Sequence, residues 1–487
     1  MKKAIVVGAG IAGLASAVRL ANKGFLVSVF EKNSYHGGKL TVIENNGFVF
    51  DAGPSLFTLP HLVEELFQIS NKKVEDYFEY VRLDKTCHYF FEDGIKIFAS
   101  ADKKKFALEI EKKLNVPSQK VLNHLEKSKF IYEKTKPVFL EKSLHIPKNY
   151  LRKEVLSALL QVHKMSIFNT LNQANEQALG HPKLVQIFNR FATYNGSNPY
   201  KAPGVLNVIP HLEHGIGAFF PKGGMRSISN SIFQLAKDLG VEFHFNTAVK
   251  NINIENQKAT GITSDNGETF NAETVVCNSD VFFAYKNLMP NIKAPQKILN
   301  RERSSSALIF YWGINKTFAE LDVHNIFFSE DYKTEFEYIF EKGDVFDDPT
   351  VYIHISSKVE KSDAPEGKEN WCVMVNVPAD NGQDWENIIK RTRKNILQKL
   401  SRMLNIDVEE LIETEEKLTP QLIASKTNSH AGSLYGTSSN DKFAAFFRHP
   451  NFSNDIKNLY FVGGSVHPGG GIPLCLLSAK IATEIIN

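Results

Sequence analysis

Ala4-Ile5-Val6-Val7 is an unbroken apolar run of strand length, and after a glycine-bearing turn the apolar positions return at helical spacing along residues 11–22. Leu26-Val-Ser-Val-Phe30 follows as a second strand and stops at Glu31. The pattern predicts a buried strand, a turn, an amphipathic helix and a second strand within residues 4–31. Phe48 to Asp51 reads as a short strand entering a turn, and residues 61 to 190 are mainly helical in pattern, Lys-rich and poor in glycine. Residues 194–228 are dense in Gly, Pro and aromatics, as in a crossover between domains. Then come a helix over 225–239, strands over 241–245 and 248–254, a hairpin at Asp265-Asn266-Gly267 and a strand over 274–277. From 300 to 415 β-branched and aromatic residues alternate, with one helix over 384–404, and a terminal helix spans 474–486.

Nucleotide-type elements thus stand at both ends and in the middle of the chain, which predicts discontinuous domains. Residues 1–70, 217–299 and 416–487 form one unit, 71–216 a helical, membrane-facing substrate segment, and 300–415 a mixed-sheet substrate-binding domain. The fold class is α/β, with a second domain of α+β type. A length of 487 residues agrees with two or three domains and leaves room for a large cofactor and a large substrate.

Net charge is only +3, so no global field recruits nucleic acid. Four scattered cysteines, without metal-ligand spacing, read as reduced thiols of a cytoplasmic protein with no metal site. Met1-Lys2-Lys3 before an apolar stretch mimics a secretory signal, yet that stretch carries the glycine turn and cannot be removed without destroying the fold. No run reaches the roughly 20 apolar residues of a spanning helix. Residues 103–164 carry 15 Lys or Arg against six Glu, which fits either a solvated helical face or, with the interspersed Phe and Leu, a patch for a membrane surface. The expected location is the cytoplasm, peripheral to the inner face of the cell membrane.

The chemistry sits in the glycines. Gly8-x-Gly10-x-x-Gly13 on a strand-to-helix turn is a dinucleotide fingerprint: the first glycine makes the turn, the second admits a pyrophosphate, the third lets helix and strand approach. Glu31 is placed to accept hydrogen bonds from a ribose, and it disfavours a 2′-phosphate and hence NADP. Gly37-Gly38-Lys39 adds a second phosphate-contacting turn of the type found in flavoproteins, which selects FAD. Gly463-Gly464 and Gly471-Ile472-Pro473, before the terminal helix, present backbone amides to a flavin. Ala12, Lys32, Gly53, Pro54, Ser55 and Val249 complete the candidate cofactor contacts.

Together these motifs, with Asp51-Ala-Gly-Pro-Ser55, Pro221-Lys-Gly-Gly-Met225, Ser433-Leu-Tyr-Gly436 and above all His467-Pro-Gly-Gly-Gly-Ile-Pro473, resemble the carotenoid desaturase family. These phytoene-desaturase-like flavoproteins lie within the amine-oxidase-like superfamily, and the resemblance covers nearly the whole chain. It implies a Rossmann-type FAD domain, FAD as the only redox cofactor, an acyclic carotenoid substrate and attachment to a membrane surface. Gly37-Gly-Lys-Leu40 with Phe50-Asp-Ala-Gly-Pro-Ser-Leu-Phe-Thr-Leu-Pro60 is more similar to the hydroxycarotenoid 3,4-desaturases than to the phytoene enzymes. Lys39 departs from relatives with Arg, replacing a bidentate grip by a point charge.

Such an enzyme moves a hydride from an allylic carbon to flavin, and the neighbouring C–H of the resulting cation is acidic enough for a weak base or water. No strong catalytic dyad is expected. His467 is the one candidate base, with a structural turn role as its alternative, and Tyr194 and Tyr435 are candidate cavity walls. Electrons leave the flavin for oxygen or a quinone, since a single fingerprint is present. Alternatives are a phytoene desaturase, a carotenoid isomerase, an amine or porphyrinogen oxidase, and a non-catalytic prenyl-binding escort protein.

Overall fold

The computed structural model describes residues 1–441 and 446–487. A five-stranded parallel sheet gathers segments from across the chain in the order Leu459–Phe461, Thr274–Cys277, Lys3–Val7, Leu26–Phe30, Glu242–His244. The unbroken run in the first strand follows from burial on both faces. Ala4 and Val6 pack with the helices Ile11–Asn22, Arg226–Asp238 and Ile472–Glu484, whereas Ile5 and Val7 pack towards the antiparallel strands Val249–Glu255, Lys258–Ser264 and Thr269–Asn271.

A second, seven-stranded mixed sheet runs Ile412–Leu418, Ser306–Ile314, Glu369–Val377, Val351–His354, His324–Phe327, Lys85–Phe90, Lys96–Ser100. Alternation divides its two faces. Leu308, Phe310 and Trp312 pack with the helix Trp385–Leu404, while Ala307, Ile309 and Tyr311 turn the other way, towards Phe48 and Phe50.

Two regions, with four strands between them, differ from the sequence expectation. Residues 71–216 are not wholly helical: Tyr80–Arg82, Lys85–Phe90 and Lys96–Ser100 are strands, and Lys85–Phe90 pairs in parallel with His324–Phe327. Its run Thr86-Cys-His-Tyr-Phe90 is almost wholly buried and is followed by a turn at Gly94, a strand signature overshadowed by the Lys-rich helices that follow. Ile412–Leu418, assigned partly to the nucleotide unit, is instead an edge strand of the second sheet. Its charges belong on an edge: Glu415 accepts from the Trp312 indole at 2.8 Å and from Arg393 at 2.9 Å. The remaining part of 71–216 is helical, including Lys103–Leu114, capped by Asp102, and Ser118–Thr135.

Candidate flavin and substrate site

One continuous cavity of about 1010 Å³ opens between the two sheets and the helical segment. Its nucleotide end is built by close backbone approach. A Cβ on Gly13 would stand 2.1 Å from the Gly8 carbonyl oxygen, and one on Gly53 would stand 1.8 Å from the Lys39 carbonyl oxygen. Gly37 and Gly38 have φ of +94° and +61°, and the Gly37 amide donates to the Ala9 carbonyl at 2.8 Å, stacking the second glycine turn on the first.

Glu31 is buried at the end of its strand. One of its carboxylate oxygens accepts from the Ala9 amide at 2.8 Å, and the other from the Asn33 amide and carboxamide at 2.9 and 2.8 Å. These bonds fix the carboxylate at the cavity wall, and its remaining lone pairs are the acceptors that a ribose needs. Lys32, also on the wall, gives its ammonium to the Ser425 carbonyl and the Asn428 side chain, both at 2.7 Å.

Lys39 lines the cavity as well, and its ammonium, with three donors, is also tied to backbone. Its Nζ donates to the Leu434 carbonyl at 3.0 Å, fastening the second glycine turn to the 433–436 segment. Burial lowers its pKa, against the raising influence of Asp280.

Ala12, Pro54, Ser55 and Val249 line the same cavity, as do Gly8, Gly10, Gly463, Gly464, Gly471, Ile472 and Pro473. The terminal helix starts at Gly471, φ +103°, without a side-chain cap, so its first amides remain for a ligand. Gly13 supports the turn from behind and does not itself line the cavity.

Asn278 was not anticipated. It follows the strand Thr274–Cys277 and reaches across to the fingerprint. With its carboxamide oxygen turned towards the helix, it accepts from the Gly10 and Gly13 amides at 3.2 and 3.3 Å. It thereby caps, from 265 residues away, a helix whose own N-cap is Gly10. The available signal was positional: ligands of parallel sheets gather at the carboxyl ends of the strands, where Asn278 sits.

Beyond the flavin end, the floor is a row of residues in register across five strands of the second sheet: Leu418, Ile309, Met374, Tyr352 and Ile326. Phe139, Leu140, Val205, Ile209 and Leu212 of the helical segment form the opposite wall. Tyr194 and Tyr435 line it too. Tyr194 belongs to a buried network in which its hydroxyl accepts from Arg190 and donates to Glu213, both at 2.6 Å, beside an Arg190–Glu213 ion pair at 2.7 Å. Burial opposes the charge on Arg190, but Glu213 and the surrounding tyrosines hold it charged.

His467 does not line this cavity, although the next residue, Pro468, does. Its Nε2 meets the Lys142 carbonyl at 2.9 Å, Phe139 lies edge-on at 5.0 Å, and burial drives its pKa down to about 3. This geometry fits the turn role, with the imidazole neutral and bonded to backbone.

A fingerprint, a second glycine turn, a ribose carboxylate and a flavin-side helix N-terminus around one cavity define an FAD-dependent oxidoreductase. The chain belongs to the flavin containing amine oxidoreductase family, which matches residues 11–487. It is 56% identical to the 1-hydroxycarotenoid 3,4-desaturase of Flavobacterium sp. (strain P99-3), over 100% of this chain and 99% of that one. It is 33% identical to a 4,4'-diapolycopene oxygenase of Methylomonas sp, over 100% and 98%. Among solved structures, an oxidoreductase from Methanosarcina mazei shares the fold with a TM-score of 0.65 at 16% identity, covering 99% of this chain and 100% of that chain.

Proposed function

We propose that the protein introduces a carbon–carbon double bond into an acyclic carotenoid, with a 1-hydroxylated carotenoid oxidised at its 3,4 bond as the favoured substrate. The supporting observation is the floor of the cavity: a flavin site continues without a break onto a row in which four of five side chains are apolar. Full-length likeness to a desaturase of that specificity supports the substrate class.

Glu31 would hold the adenosine ribose, the Gly37–Gly38 turn and the helix start at Ile11–Ala12 the pyrophosphate, and Gly463, Gly464 and Gly471–Pro473 the flavin end. FAD, when bound, supplies the hydride acceptor. The chain's own contribution is positioning. The sheet floor and the wall around Phe139 and Leu212 align the polyene and keep water away, so that the reacting bond is presented in one register. Arg190 is neutralised by Glu213, so the wall carries no net charge there that would oppose a developing cation.

We also assign the membrane surface as the source of substrate. No helix among the described residues is long and apolar enough to cross a membrane. Leu151, Leu156, Leu159, Leu160 and Phe168 are exposed together along 151–168, flanked by Lys148, Arg152, Lys153 and Lys164. This mixture suits the headgroup boundary of anionic lipid better than the Lys103–Lys105 cluster does, where Lys103 is paired with Glu126 at 2.9 Å. Electrons then pass from reduced flavin to oxygen or a quinone.

The test supplies acyclic carotenoids in liposomes to flavin-loaded protein with an electron acceptor. A product lighter by two hydrogens is expected. Equal mass would indicate isomerisation, an added oxygen the oxygenase reaction, and turnover of amines or porphyrinogens alone would remove the carotenoid reading.

A further inference from the structure

Tyr352 is the one polar member of the apolar floor row, and its hydroxyl is engaged on both sides. It lies 2.8 Å from the Ser55 hydroxyl oxygen and 2.7 Å from Nδ1 of His324. A floor built only to hold hydrocarbon is served by Phe at this position, since a buried hydroxyl has to be supplied with partners.

The hydrogens can be counted. His324 is buried, and burial and the adjacent His354 hold it neutral, so its ring carries one hydrogen. Nε2 has no partner. A buried N–H without an acceptor is rarer than a bare ring nitrogen, so the inventory assigns the hydrogen to Nδ1. Nδ1–H donates to the Tyr352 oxygen, Tyr352 donates to the Ser55 oxygen, and the Ser55 hydroxyl hydrogen is left to donate into the cavity that both residues line.

Ser55 lies two residues beyond Gly53, whose backbone abuts Lys39 of the second glycine turn, and it lines the same continuous cavity as Gly463, Gly464 and Gly471. In a substrate hydroxylated at carbon 1 and oxidised between carbons 3 and 4, only two bonds separate C1 from C3, so the oxygen lies within roughly 4 Å of the reacting bond at ordinary bond lengths. Its receptor therefore has to be beside the flavin. The Arg190–Tyr194–Glu213 network is a poorer receptor, because its members already satisfy one another.

We propose that the Ser55 hydroxyl, oriented through Tyr352 and His324, binds the substrate hydroxyl and selects a 1-hydroxylated end group over a hydrocarbon one. This rests on the desaturase reading above. His324 acts as a positioning residue through Tyr352.

The test compares kcat/KM for an acyclic carotenoid hydroxylated at carbon 1 with that for the same hydrocarbon lacking the hydroxyl, both in liposomes. Wild type, Tyr352→Phe, Ser55→Ala and His324→Phe are assayed, with the flavin spectrum of each recorded. Wild type is expected to prefer the hydroxylated substrate, and Tyr352→Phe to lower that preference about tenfold or more, chiefly through KM, because a site made to bond a hydroxyl discriminates by that bond. His324→Phe should lower it in the same direction. An equal slowing of both substrates in Tyr352→Phe, or an unchanged ratio, overturns the proposal. Flavin loss in Ser55→Ala beside an unchanged ratio in Tyr352→Phe assigns Ser55 to the cofactor and also overturns it. Wild type that desaturates both substrates equally removes the hydroxyl subsite while leaving the desaturase reading intact, whereas wild type that desaturates neither removes both.

Discussion

The carbonyl oxygen of Gly8 occupies the space that a side chain on Gly13 would need, 2.1 Å from the ideal Cβ position. Strand and helix of the fingerprint therefore meet backbone to backbone. Gly13→Ala has to push the helix Ile11–Asn22 off the strand, and overpacking of this kind costs roughly 1–3 kcal/mol. The same displacement pulls the Gly10 and Gly13 amides away from Asn278. Both lower stability in urea and substoichiometric flavin on purification are expected. A fully flavinylated variant of native stability would show that the close approach is dispensable.

Glu31 ties the fingerprint to its own strand end through the Ala9 amide at 2.8 Å, so its removal has two consequences. Glu31→Ala loses the ribose acceptors and frees a buried amide. Charge-assisted hydrogen bonds are worth about 1.5–3 kcal/mol, which corresponds to roughly ten- to a hundredfold weaker FAD binding. Glu31→Gln keeps a carbonyl oxygen for one side of the carboxylate and should bind FAD between wild type and Glu31→Ala. Titration of apoprotein with FAD, followed by flavin fluorescence, checks the order; equal affinity in all three proteins contradicts the ribose assignment.

Much of this site was legible because its determinants are local. Gly8, Gly10, Gly13 and Glu31 lie in one strand–helix–strand unit, and the spacing of the unit is the geometry of the site. Gly471 before the terminal helix is equally local. Contacts that join distant segments leave no such periodic trace. Nothing near Asn278 in sequence announces that it will cap a helix at residue 11, and Ser55 and Tyr352 meet across 297 residues. Lys85–Phe90 was obscured for a related reason: its pairing partner, His324–Phe327, lies far downstream, while its neighbours are Lys-rich helices. His467 carries a residue type suited to proton chemistry, but tertiary packing hands its Nε2 to the Lys142 carbonyl.

Acid should unfold the protein early. Burial, the foremost cause in each case, lowers His124 and His449 to a pKa of about 4 and His467 to about 3. All three folded values lie below the ordinary value near 6.5, so the unfolded chain binds more protons between these limits. Their stabilising contribution is intact above pH 6.5 and is lost as pH falls through 4, each group adding up to about 1.4 kcal/mol per pH unit. Glu335, raised by burial to about 7, acts in the opposite sense and loses stability as pH rises from the ordinary carboxylate range through 7. His36 and His214, also lowered by burial to about 4, add to the acid side, and Asp363, raised by burial to about 6, joins Glu335; five imidazoles against two carboxyls leave the acid side dominant. Urea unfolding at pH 7.5 and 5 should show lower stability at pH 5, and His124→Phe should reduce the difference by about one proton's share. A pH-independent midpoint would contradict the neutral buried state of these rings.

Membrane binding should depend on apolar contact at 151–168 more than on the lysines of the Lys103–Leu114 helix. Leu151, Leu160 and Phe168 are 84%, 78% and 72% exposed, so in water the protein leaves three large apolar side chains in solvent. Burying a Leu or Phe side chain is worth about 1.5–3 kcal/mol when complete, and even partial insertion of three exceeds the ~1 kcal/mol that each basic residue gains near anionic lipid. In liposome flotation, Leu151→Ser/Leu160→Ser/Phe168→Ser should lose most binding at both low and high salt. Charge reversal at Lys103, Lys104 and Lys105 should weaken binding less, and mainly at low salt, because its effect is screened over a Debye length of about 10 Å at 0.1 M. The expected consequence for function is a higher apparent KM for carotenoid presented in vesicles by the triple serine variant, with flavin content unchanged. Binding that survives the serine substitutions but disappears on charge reversal would move the docking surface to the Lys103–Leu114 helix.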